Sequence, residues 1–242
     1  MKQKREESWR VEVHECGGGE RIEVYSLMRR FQAAAAAQAE EMGFGPERLR
    51  ERECYWVLSA IVLETERLAL CNEEVVLRTW PSGHNRVTAM REFTGHAAGG
   101  EALFRAGSEW MVLGRGSGRP RNLEKLDRQL PGEAEKAVIR PLPRLERPER
   151  AEYGVSILVP YSAIDLNGHV NNAEYVRWGM DLLRQEYEWR GQVKRVQVCY
   201  LSEVFEGERV DVGISRVEEE RYMILGKKAE GGVPVFLMEV RC

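Results

Sequence analysis

Apolar and polar residues alternate through most of the first half of the chain. One long segment interrupts this alternation, because its apolar residues recur at helical spacing instead. This spacing predicts a helix over 27–42, with Leu27, Phe31 and Ala35 on one side, and Gly43 is a natural stop for it. Alternation is typical of strands, whose successive side chains point to opposite faces. It predicts strands at 11–13, 21–24, 54–65, 73–81, 86–95 and 101–113.

The second half of the chain repeats this order of elements. A strand near 153–159 precedes a helix over 172–187, whose apolar stripe carries Val176, Met180 and Leu183. Four more strands are predicted after the helix, at 193–205, 208–217, 221–228 and 233–240. Corresponding elements lie about 140–145 residues apart, which indicates an internal repeat of element order rather than of sequence.

Residues 114–150 separate the two halves and are rich in glycine, arginine and proline. This composition predicts an inter-domain linker packed along the surface, with a short helical piece near 122–129. The flanking domains are then 1–113 and 151–242.

The predicted fold class is α+β, with two tandem hot-dog domains. A long helix followed by four or five antiparallel strands is buried on all sides only if the sheet curls round it. The alanine run at 33–37 fits this arrangement, because small side chains allow close approach of other backbones.

Composition describes an ordinary globular chain, with 43% hydrophobic and 31% charged residues. The net charge of −3 provides no basic field for nucleic acid. No apolar run approaches the roughly 18 residues that span a membrane, and the polar start of the chain does not resemble a targeting segment. The five cysteines are scattered without paired spacing, which favours reduced thiols over disulfides or a zinc site. We therefore expect a cytoplasmic protein without a metal or other cofactor.

Residues 165–172, Asp-Leu-Asn-Gly-His-Val-Asn-Asn, carry the candidate chemistry. In an extended chain, Asp165, Asn167 and His169 project to the same side. Asn171 or Asn172 is suited to cap the helix that follows, with Glu174 in the capping-box position. A helix N-terminus favours negative charge, so this is a plausible place to stabilise an oxyanion. A polar turn before a capped helix is the alternative interpretation of the same pattern.

The octapeptide, followed by Tyr175 and Trp178, resembles the signature of the acyl-acyl carrier protein thioesterases of plants and bacteria. Matching segments of the first half fall in the order expected of that family: Tyr25-Ser-Leu-Met-Arg-Arg-Phe-Gln-Ala, Trp56-Val-Leu, Arg78-Thr-Trp80, Ala89-Met-Arg-Glu-Phe93 and Ser108-Glu-Trp-Met-Val112. The resemblance implies a tandem hot-dog enzyme that hydrolyses the thioester between a fatty acyl chain and acyl carrier protein. The partner it implies is therefore acyl carrier protein.

The resemblance also implies the catalytic residues. The family's Asp, Asn and His correspond to Asp165, Asn167 and His169, and Tyr200-Leu-Ser-Glu203 matches the segment that carries the family's Glu, here Glu203. Two positions depart from the family pattern. Gly168 stands where the family often has Gln, and Val204 stands where it has a Cys once proposed as nucleophile. The departure at 204 disfavours a cysteine acyl-enzyme.

Thioester hydrolysis needs a water, a base and donors to the developing oxyanion. We expect Glu203 or Asp165 to act on the water, directly or through His169, and leave open which carboxylate it is. Asn167 is expected to position a partner or the thioester, and the backbone N–H groups of 170–172 to hold the oxyanion.

The resemblance implies that the first domain holds the acyl chain. The candidate lining residues are Met28, Phe31, Trp56, Trp80 and Met90, all of which also suit a core. Exposed arginines are candidates to meet the acidic carrier protein: Arg29, Arg30, Arg115, Arg119 and Arg121.

Three other functions compete with this prediction. They are an acyl-CoA thioesterase of hot-dog type, a hot-dog dehydratase acting on 3-hydroxyacyl thioesters, and a non-catalytic acyl-binding protein. The Asp-x-Asn-x-His cluster and the tandem halves favour hydrolysis over dehydration. Chain-length preference and oligomeric state stay open, and a homodimer is compatible with such sheets.

Overall fold

A computed structural model of the protein describes residues 4–125, 130–148, 150–189 and 191–242. The chain divides into two compact units, Met1–Leu142 and Pro143–Cys242. Among the described residues, no helix is both long enough and apolar enough to cross a membrane.

The first unit contains one antiparallel sheet, a long helix and a short helix. Its elements are β1 (Arg5–Arg10), α1 (Val24–Glu41), α2 (Pro46–Arg50), β2 (Cys54–Thr65), β3 (Glu74–His84), β4 (Ala89–Ala97) and β5 (Ala102–Gly114). The strands follow the order β1-β3-β4-β5-β2 across the sheet.

The start of the first unit differs from the prediction. The predicted strand at 11–13 is wrong, because Val13–Glu15 forms a 3-10 turn and the first strand is the charged segment Arg5–Arg10. In β1 every second residue is partly buried. The side chains of β1 therefore do alternate between partly buried and exposed. Charged residues occupy both kinds of position, so a search for alternating apolar residues does not detect this strand. The predicted strand at 21–24 is reduced to isolated bridges at Arg21 and Ile22.

The helix α1 buries its apolar stripe, as predicted, although it begins at Val24. The Phe31 ring stacks on Phe93 of β4 with ring centroids 4.7 Å apart, and lies 5.3 Å from the ring of Phe104 on β5. Ala34 and Ala35 are both buried. The alanine run thus does what its small side chains suggest, since it lets the helix pack closely.

The predicted linker is packed against the first unit where it follows β5. Its beginning is anchored by Leu123, which is buried against Leu49, Cys54 and Val112. Leu123 lies in a 3-10 turn over Leu123–Lys125, and the rest of the predicted helical piece, 126–129, lies outside the described residues.

Residues 130–142, which we call the crossing segment, are bound to the sheet by a buried ion pair. Arg140 donates from Nη2 to Oε1 of Glu92 at 3.0 Å, and Glu92 is fully buried. Arg140 also reaches Glu109 at 3.1 Å. The indole N–H of Trp80 donates to the carbonyl of Glu135 at 3.0 Å. The crossing segment therefore covers the face of the sheet that lies away from α1.

The second unit has the same order of elements. They are β6 (Tyr153–Leu158), α3 (Asn172–Tyr187), β7 (Arg195–Tyr200), β8 (Arg209–Glu218), β9 (Arg221–Lys228) and β10 (Pro234–Arg241). The strands are antiparallel in the order β6-β8-β9-β10-β7, which is the order of the first unit repeated. The prediction of two tandem hot-dog folds in the α+β class is confirmed.

The helix α3 packs on its sheet through the predicted stripe. Val176, Met180 and Leu183 are all buried. The predicted strand 193–205 is too long. The observed strand β7 ends at Tyr200, and residues 201–205 leave the sheet. This places Glu203 on a loop rather than near the end of a long strand.

Candidate active site

Residues 165–169 form a tight turn, and the prediction that they are extended is wrong. Ile164 and Val170 pair as an antiparallel bridge on either side of the turn. The N–H of Asp165 donates to the carbonyl of His169 at 2.8 Å, and the N–H of Gly168 donates to the carbonyl of Asp165 at 3.0 Å. Asp165, Asn167 and His169 therefore do not share one face of a strand.

The sequence explains this turn. Gly168 has φ +85°, in the left-handed region that favours glycine, with open space where a Cβ would lie. One carboxylate oxygen of Asp165 accepts the N–H of Asn167 at 2.8 Å and that of His169 at 3.4 Å. Aspartate commonly bonds its own backbone two residues on. The prediction of an extended segment is wrong because the glycine and the aspartate side chain stabilise a turn here.

The turn places His169 beside Glu203. Nδ1 of the imidazole lies 3.5 Å from Oε1 of Glu203. The backbone joins the two segments next to these residues, since the N–H of Val170 donates to the carbonyl of Val204 at 2.9 Å. The side chain of His169 is 20% exposed and that of Glu203 is 37% exposed, so both are open to a reactant from solvent.

The four predicted catalytic residues are thus neighbours with different contacts. His169 and Glu203 face each other, while the Asp165 carboxylate binds backbone N–H groups of its own turn. Asn167 is exposed at the tip of the turn. Within the described part of the chain, its only hydrogen bond is the one its backbone donates to Asp165.

The start of α3 is capped by Asn171, whose side-chain oxygen accepts the N–H of Ala173 at 2.9 Å. The expected oxyanion donors need correction. The N–H of Val170 is bound to Val204, and that of Asn171 donates to the carbonyl of Ala163 at 2.8 Å. Among the described residues, Asn172 is the only one of the three whose N–H has no backbone carbonyl as partner.

Two tyrosines behind the turn complete the site. Burial raises the pKa of Tyr175 above its ordinary value, and the nearby carboxylates of Asp165 and Glu203 raise it further. Burial likewise raises the pKa of Tyr200, whose hydroxyl donates to the carbonyl of Asn172 at 3.1 Å. Both hydroxyls therefore stay protonated at neutral pH, and that of Tyr200 supports the start of α3 without adding charge.

The structure adds one contact to the imidazole that sequence reasoning missed. The ring of Phe205 meets His169 edge-to-face, with centroids 5.1 Å apart and an interplanar angle of 73°. The sequence offered no signal for this contact, because residues 201–205 lie in a loop outside the strands.

The five candidate acyl-lining residues lie on α1, β2, β3 and β4 and have different contacts. Met28 and Phe31 are buried on α1. Trp56 donates its indole N–H to the carbonyl of Phe44 at 2.8 Å and packs against the Leu49 and Leu123 cluster. Trp80 faces the crossing segment, and Met90 lies beside Gly83 near Lys136 of that segment.

A carboxylate beside an imidazole, partly open to solvent, is the arrangement of a general base. A neutral imidazole whose Nδ1–H points to the carboxylate keeps a lone pair on Nε2 for a water proton. The fold and this site define a hot-dog protein suited to attack by water on an electrophilic carbonyl.

The comparisons with known proteins make the class specific. The family model of the acyl-ACP thioesterase N-terminal domain matches residues 2–125, and that of the acyl-ACP thioesterase C-terminal domain matches residues 146–231. The chain belongs to the acyl-ACP thioesterase family, which confirms the resemblance noted from the sequence.

Curated relatives are plant proteins of greater length. The chain is 24% identical over 225 residues to oleoyl-acyl carrier protein thioesterase 2 of Arabidopsis thaliana, which covers 85% of this chain and 61% of that protein. It is 25% identical over 190 residues to the palmitoyl-acyl carrier protein thioesterase of Gossypium hirsutum, covering 71% and 45%. The chain thus spans about three fifths of the length of the first of these relatives.

Solved structures share the fold over the whole chain. An acyl-ACP thioesterase from Bacteroides thetaiotaomicron superposes with a TM-score of 0.87 at 22% identity, covering 99% of this chain and 97% of that one. The 12:0-ACP thioesterase from Umbellularia californica superposes with a TM-score of 0.89 at 20% identity, covering 100% and 97%.

Proposed function

We propose that the protein hydrolyses the thioester of fatty acyl-acyl carrier protein, releasing a free fatty acid and so ending chain elongation. The observation that carries this proposal is the approach of His169 Nδ1 to Glu203 Oε1 at 3.5 Å, within the part of the chain that matches the family's C-terminal domain.

The proposed reaction uses water as the nucleophile. His169 takes a proton from water as the oxygen attacks the thioester carbonyl, and Glu203 stabilises the imidazolium that forms. The tetrahedral intermediate then collapses with cleavage of the carbon–sulfur bond, and the proton passes from His169 to the leaving thiolate. The products are a carboxylic acid and the free thiol of the carrier.

Glu203 is the better of the two carboxylates for this role. Its carboxylate faces the imidazole, whereas that of Asp165 accepts N–H groups from its own turn. We therefore assign Asp165 to shaping the turn and Glu203 to the chemistry. Asn167 is exposed and available to bind the thioester when substrate is present.

The proposal does not involve a covalent cysteine intermediate. The position after Glu203 is Val204, which is fully buried and has no nucleophilic atom. Attack by water needs no group beyond the imidazole, the carboxylate and donors to the oxyanion.

The first domain is the proposed holder of the acyl chain. Met28 and Phe31 support this assignment, because both lie on the helix face that packs on the sheet. Trp56, Trp80 and Met90 have packing contacts elsewhere, so we leave them out of the proposed lining.

Acyl carrier protein is the proposed partner, and the cytoplasm is the proposed compartment. All five cysteines are free thiols, which suits a reducing environment. Of the arginines predicted to meet the carrier, Arg30 is already paired with Glu15 at 2.7 Å, which weakens its candidacy. A homodimer stays a prediction.

The decisive experiment measures thiol release from acyl carrier protein thioesters of several chain lengths, beside the matched acyl-CoA thioesters. We expect release from the carrier-protein substrates with a higher kcat/KM than from acyl-CoA, and loss of release in the variant Glu203→Gln. Equal or higher kcat/KM with acyl-CoA identifies an acyl-CoA thioesterase instead.

Two further outcomes contradict hydrolysis. Loss of water from a 3-hydroxyacyl thioester without thiol release indicates a dehydratase. Tight binding of acyl thioesters without turnover indicates an acyl-binding protein.

A further inference from the structure

The strand β6 lies at one end of the strand order of the second unit, and its outer edge is exposed. Among the described residues, β8 is the only strand that pairs with it. Its sequence is Tyr-Gly-Val-Ser-Ile-Leu, in which Val155 is 41% exposed and Leu158 is 54% exposed. A strand edge with exposed apolar side chains is a template for pairing with another strand, unless charges or a proline protect it. The sequence of β6 contains neither.

The corresponding edge strand of the first unit, β1, is protected in the usual way. Four of its six residues are charged. One of them, Glu6, accepts from Nε of Arg78 on the neighbouring strand β3 at 2.6 Å. Charged side chains at an edge oppose the addition of a further strand. The two units therefore share a strand order, but these two edge strands differ in their capacity to take a partner.

The hydrogen bonds to β8 determine which backbone groups of β6 point outward. The N–H of Val159 donates to the carbonyl of Glu208 at 2.9 Å, and β6 and β8 keep one register along the whole of β6. In an antiparallel pair, residues that bond to the neighbouring strand alternate with residues that bond away from it. The N–H and C=O groups of Gly154, Ser156 and Leu158 therefore point away from β8.

This edge is complementary to itself in an antiparallel arrangement. If Ser156 lies opposite Ser156 of a second copy, Gly154 lies opposite Leu158, and all three outward residues form hydrogen-bonded pairs. On the other face of the strand, Val155 then lies opposite Ile157, so that apolar side chains meet. No like charges come together, because β6 has no charged side chain.

The space beside Gly154 also suits a leucine from the opposite strand. A groove of about 390 Å³ lies on this face of the sheet, and Gly154, Ser156 and Gly213 are among its lining residues. Glycine contributes no side chain there, so Leu158 of a second copy has room at the rim of the groove. Its apolar surface then leaves water, which favours the pairing.

Two other occupants of this edge fit it less well. The parts of the sequence outside the described residues are 1–3, 126–129, 149 and 190, and each is shorter than β6. None of them is long enough to pair along the whole strand. An acidic carrier protein is recognised through cations, and β6 provides none. A second copy of this chain is the partner that matches both the hydrogen-bonding groups and the side chains.

We propose that the protein forms a closed homodimer in which the β6 strands of two copies pair antiparallel about Ser156. The pairing uses the same edge on both chains, so the assembly has two-fold symmetry and stops at two chains. This inference does not rest on the proposed function, because it concerns a surface defined by backbone groups of β6.

Disulfide cross-linking tests the register of the pair. Ser156→Cys places two thiols opposite each other, with Cα atoms about 5.5 Å apart, which is within the range of a disulfide. Ser8→Cys on β1 is the matched control, since Ser8 is also an exposed serine of an edge strand. We expect the oxidant diamide to convert most of the Ser156→Cys protein to a disulfide-linked pair on a non-reducing gel. The Ser8→Cys protein and the wild type should stay single chains on the same gel.

Measurement of mass in solution tests the assembly without a cross-link. By sedimentation equilibrium we expect the wild type to have twice the 27.8 kDa of one chain. Ser156→Pro removes an outward N–H without removing a bond to β8, and Leu158→Lys places a charge at the edge. Both variants should have the mass of one chain. Ser8→Pro is the control on β1 and should keep the mass of the wild type, because the N–H of Ser8 also points outward: that of Val11, in the same alternation, donates to Glu73 at 2.9 Å.

Several outcomes overturn the proposal. A wild type with the mass of one chain at every concentration excludes the dimer. A dimer that persists in both Ser156→Pro and Leu158→Lys uses another surface. Species larger than two chains that disappear in Ser156→Pro show open-ended association in place of a closed pair. If Ser156→Pro loses its circular dichroism signal, Leu158→Lys and the cross-link decide by the same criteria. Thiol release plays no part in these measurements, so failure of the proposed function leaves their result unchanged.

Discussion

The backbone N–H of Val170 donates to the carbonyl of Val204 at 2.9 Å, and this one hydrogen bond joins the two segments that carry His169 and Glu203. Both valines are buried, so the bond is protected from water. Each candidate catalytic residue directly precedes one of the bonded valines. This backbone hydrogen bond therefore places the imidazole and the carboxylate close together, in addition to the contact between their own side chains.

Replacement of Glu203 should remove most of the turnover. In Glu203→Gln the imidazolium loses the negative charge that stabilises it, so we expect kcat to fall by about 10²–10⁴-fold, the usual contribution of acid–base catalysis. Glu206→Gln, which changes an exposed glutamate of the same loop, is the control and should leave kcat unchanged. Comparable activity in both variants would refute the assignment. The measurement is steady-state thiol release.

Two variants of Asp165 should separate shape from charge. Asp165→Asn keeps the oxygen that accepts the N–H of Asn167, whereas Asp165→Ala removes it. We expect Asp165→Ala to lose about 1 kcal/mol of unfolding free energy, the usual value of one hydrogen bond, and Asp165→Asn to lose little. The activity of Asp165→Asn should stay well above that of Glu203→Gln. The reverse order of activities would make Asp165 the essential carboxylate. Urea denaturation and thiol release are measured on the same preparations.

The buried ion pair of the first unit should be important for stability. In Arg140→Met the carboxylate of Glu92 stays fully buried without its cation, which costs about 3–5 kcal/mol of unfolding free energy. Arg105→Met removes an exposed partner of Glu64 and should cost less than about 1 kcal/mol. The double change Glu92→Leu with Arg140→Met should recover part of the loss. Urea denaturation checks all three, and equal losses for Arg140→Met and Arg105→Met would be inconsistent with a buried pair.

Stability should fall at alkaline pH because of buried tyrosines. The pKa values of Tyr175 and Tyr200 are raised in the folded protein by burial. Above pH of about 10 the unfolded chain releases these protons first, so the free energy of unfolding falls as pH rises. Tyr200→Phe removes one such group and should reduce the slope, whereas Tyr161→Phe changes an exposed ring and serves as control. Denaturation at pH 8 to 11 measures the slopes, and an identical slope in Tyr200→Phe argues against the burial effect.

Removal of the cysteine nearest to Glu203 in sequence should leave turnover intact. Cys199→Ser tests whether a thiol participates in place of the absent cysteine at 204. Since we assign the nucleophile to water, we expect kcat to be unchanged and iodoacetamide not to inhibit either protein. Loss of activity in Cys199→Ser, with the fold intact by circular dichroism, would bring a covalent intermediate back into consideration.

The pattern of apolar and polar residues predicted the elements correctly where the apolar residues it marks are the ones that pack in the core. The stripe of α3 and the alternating strands of both halves predict the repeated element order, because the faces they define must be buried. The pattern was uninformative at β1, where charged residues such as Arg5 and Glu7 occupy an alternating edge strand. It also gave no sign that Arg140 and Glu92, far apart in sequence, form a buried pair.

The sequence by itself determined the repeated hot-dog order, the family and the residue types of the site, because each depends on local pattern or on a continuous motif. Only the tertiary structure decided that Asp165–His169 is a turn, that His169 faces Glu203, and that Phe205 contacts the imidazole. Those contacts join residues from separate segments. They depend on backbone hydrogen bonds between loops, and the spacing of residues within a single segment does not contain that information.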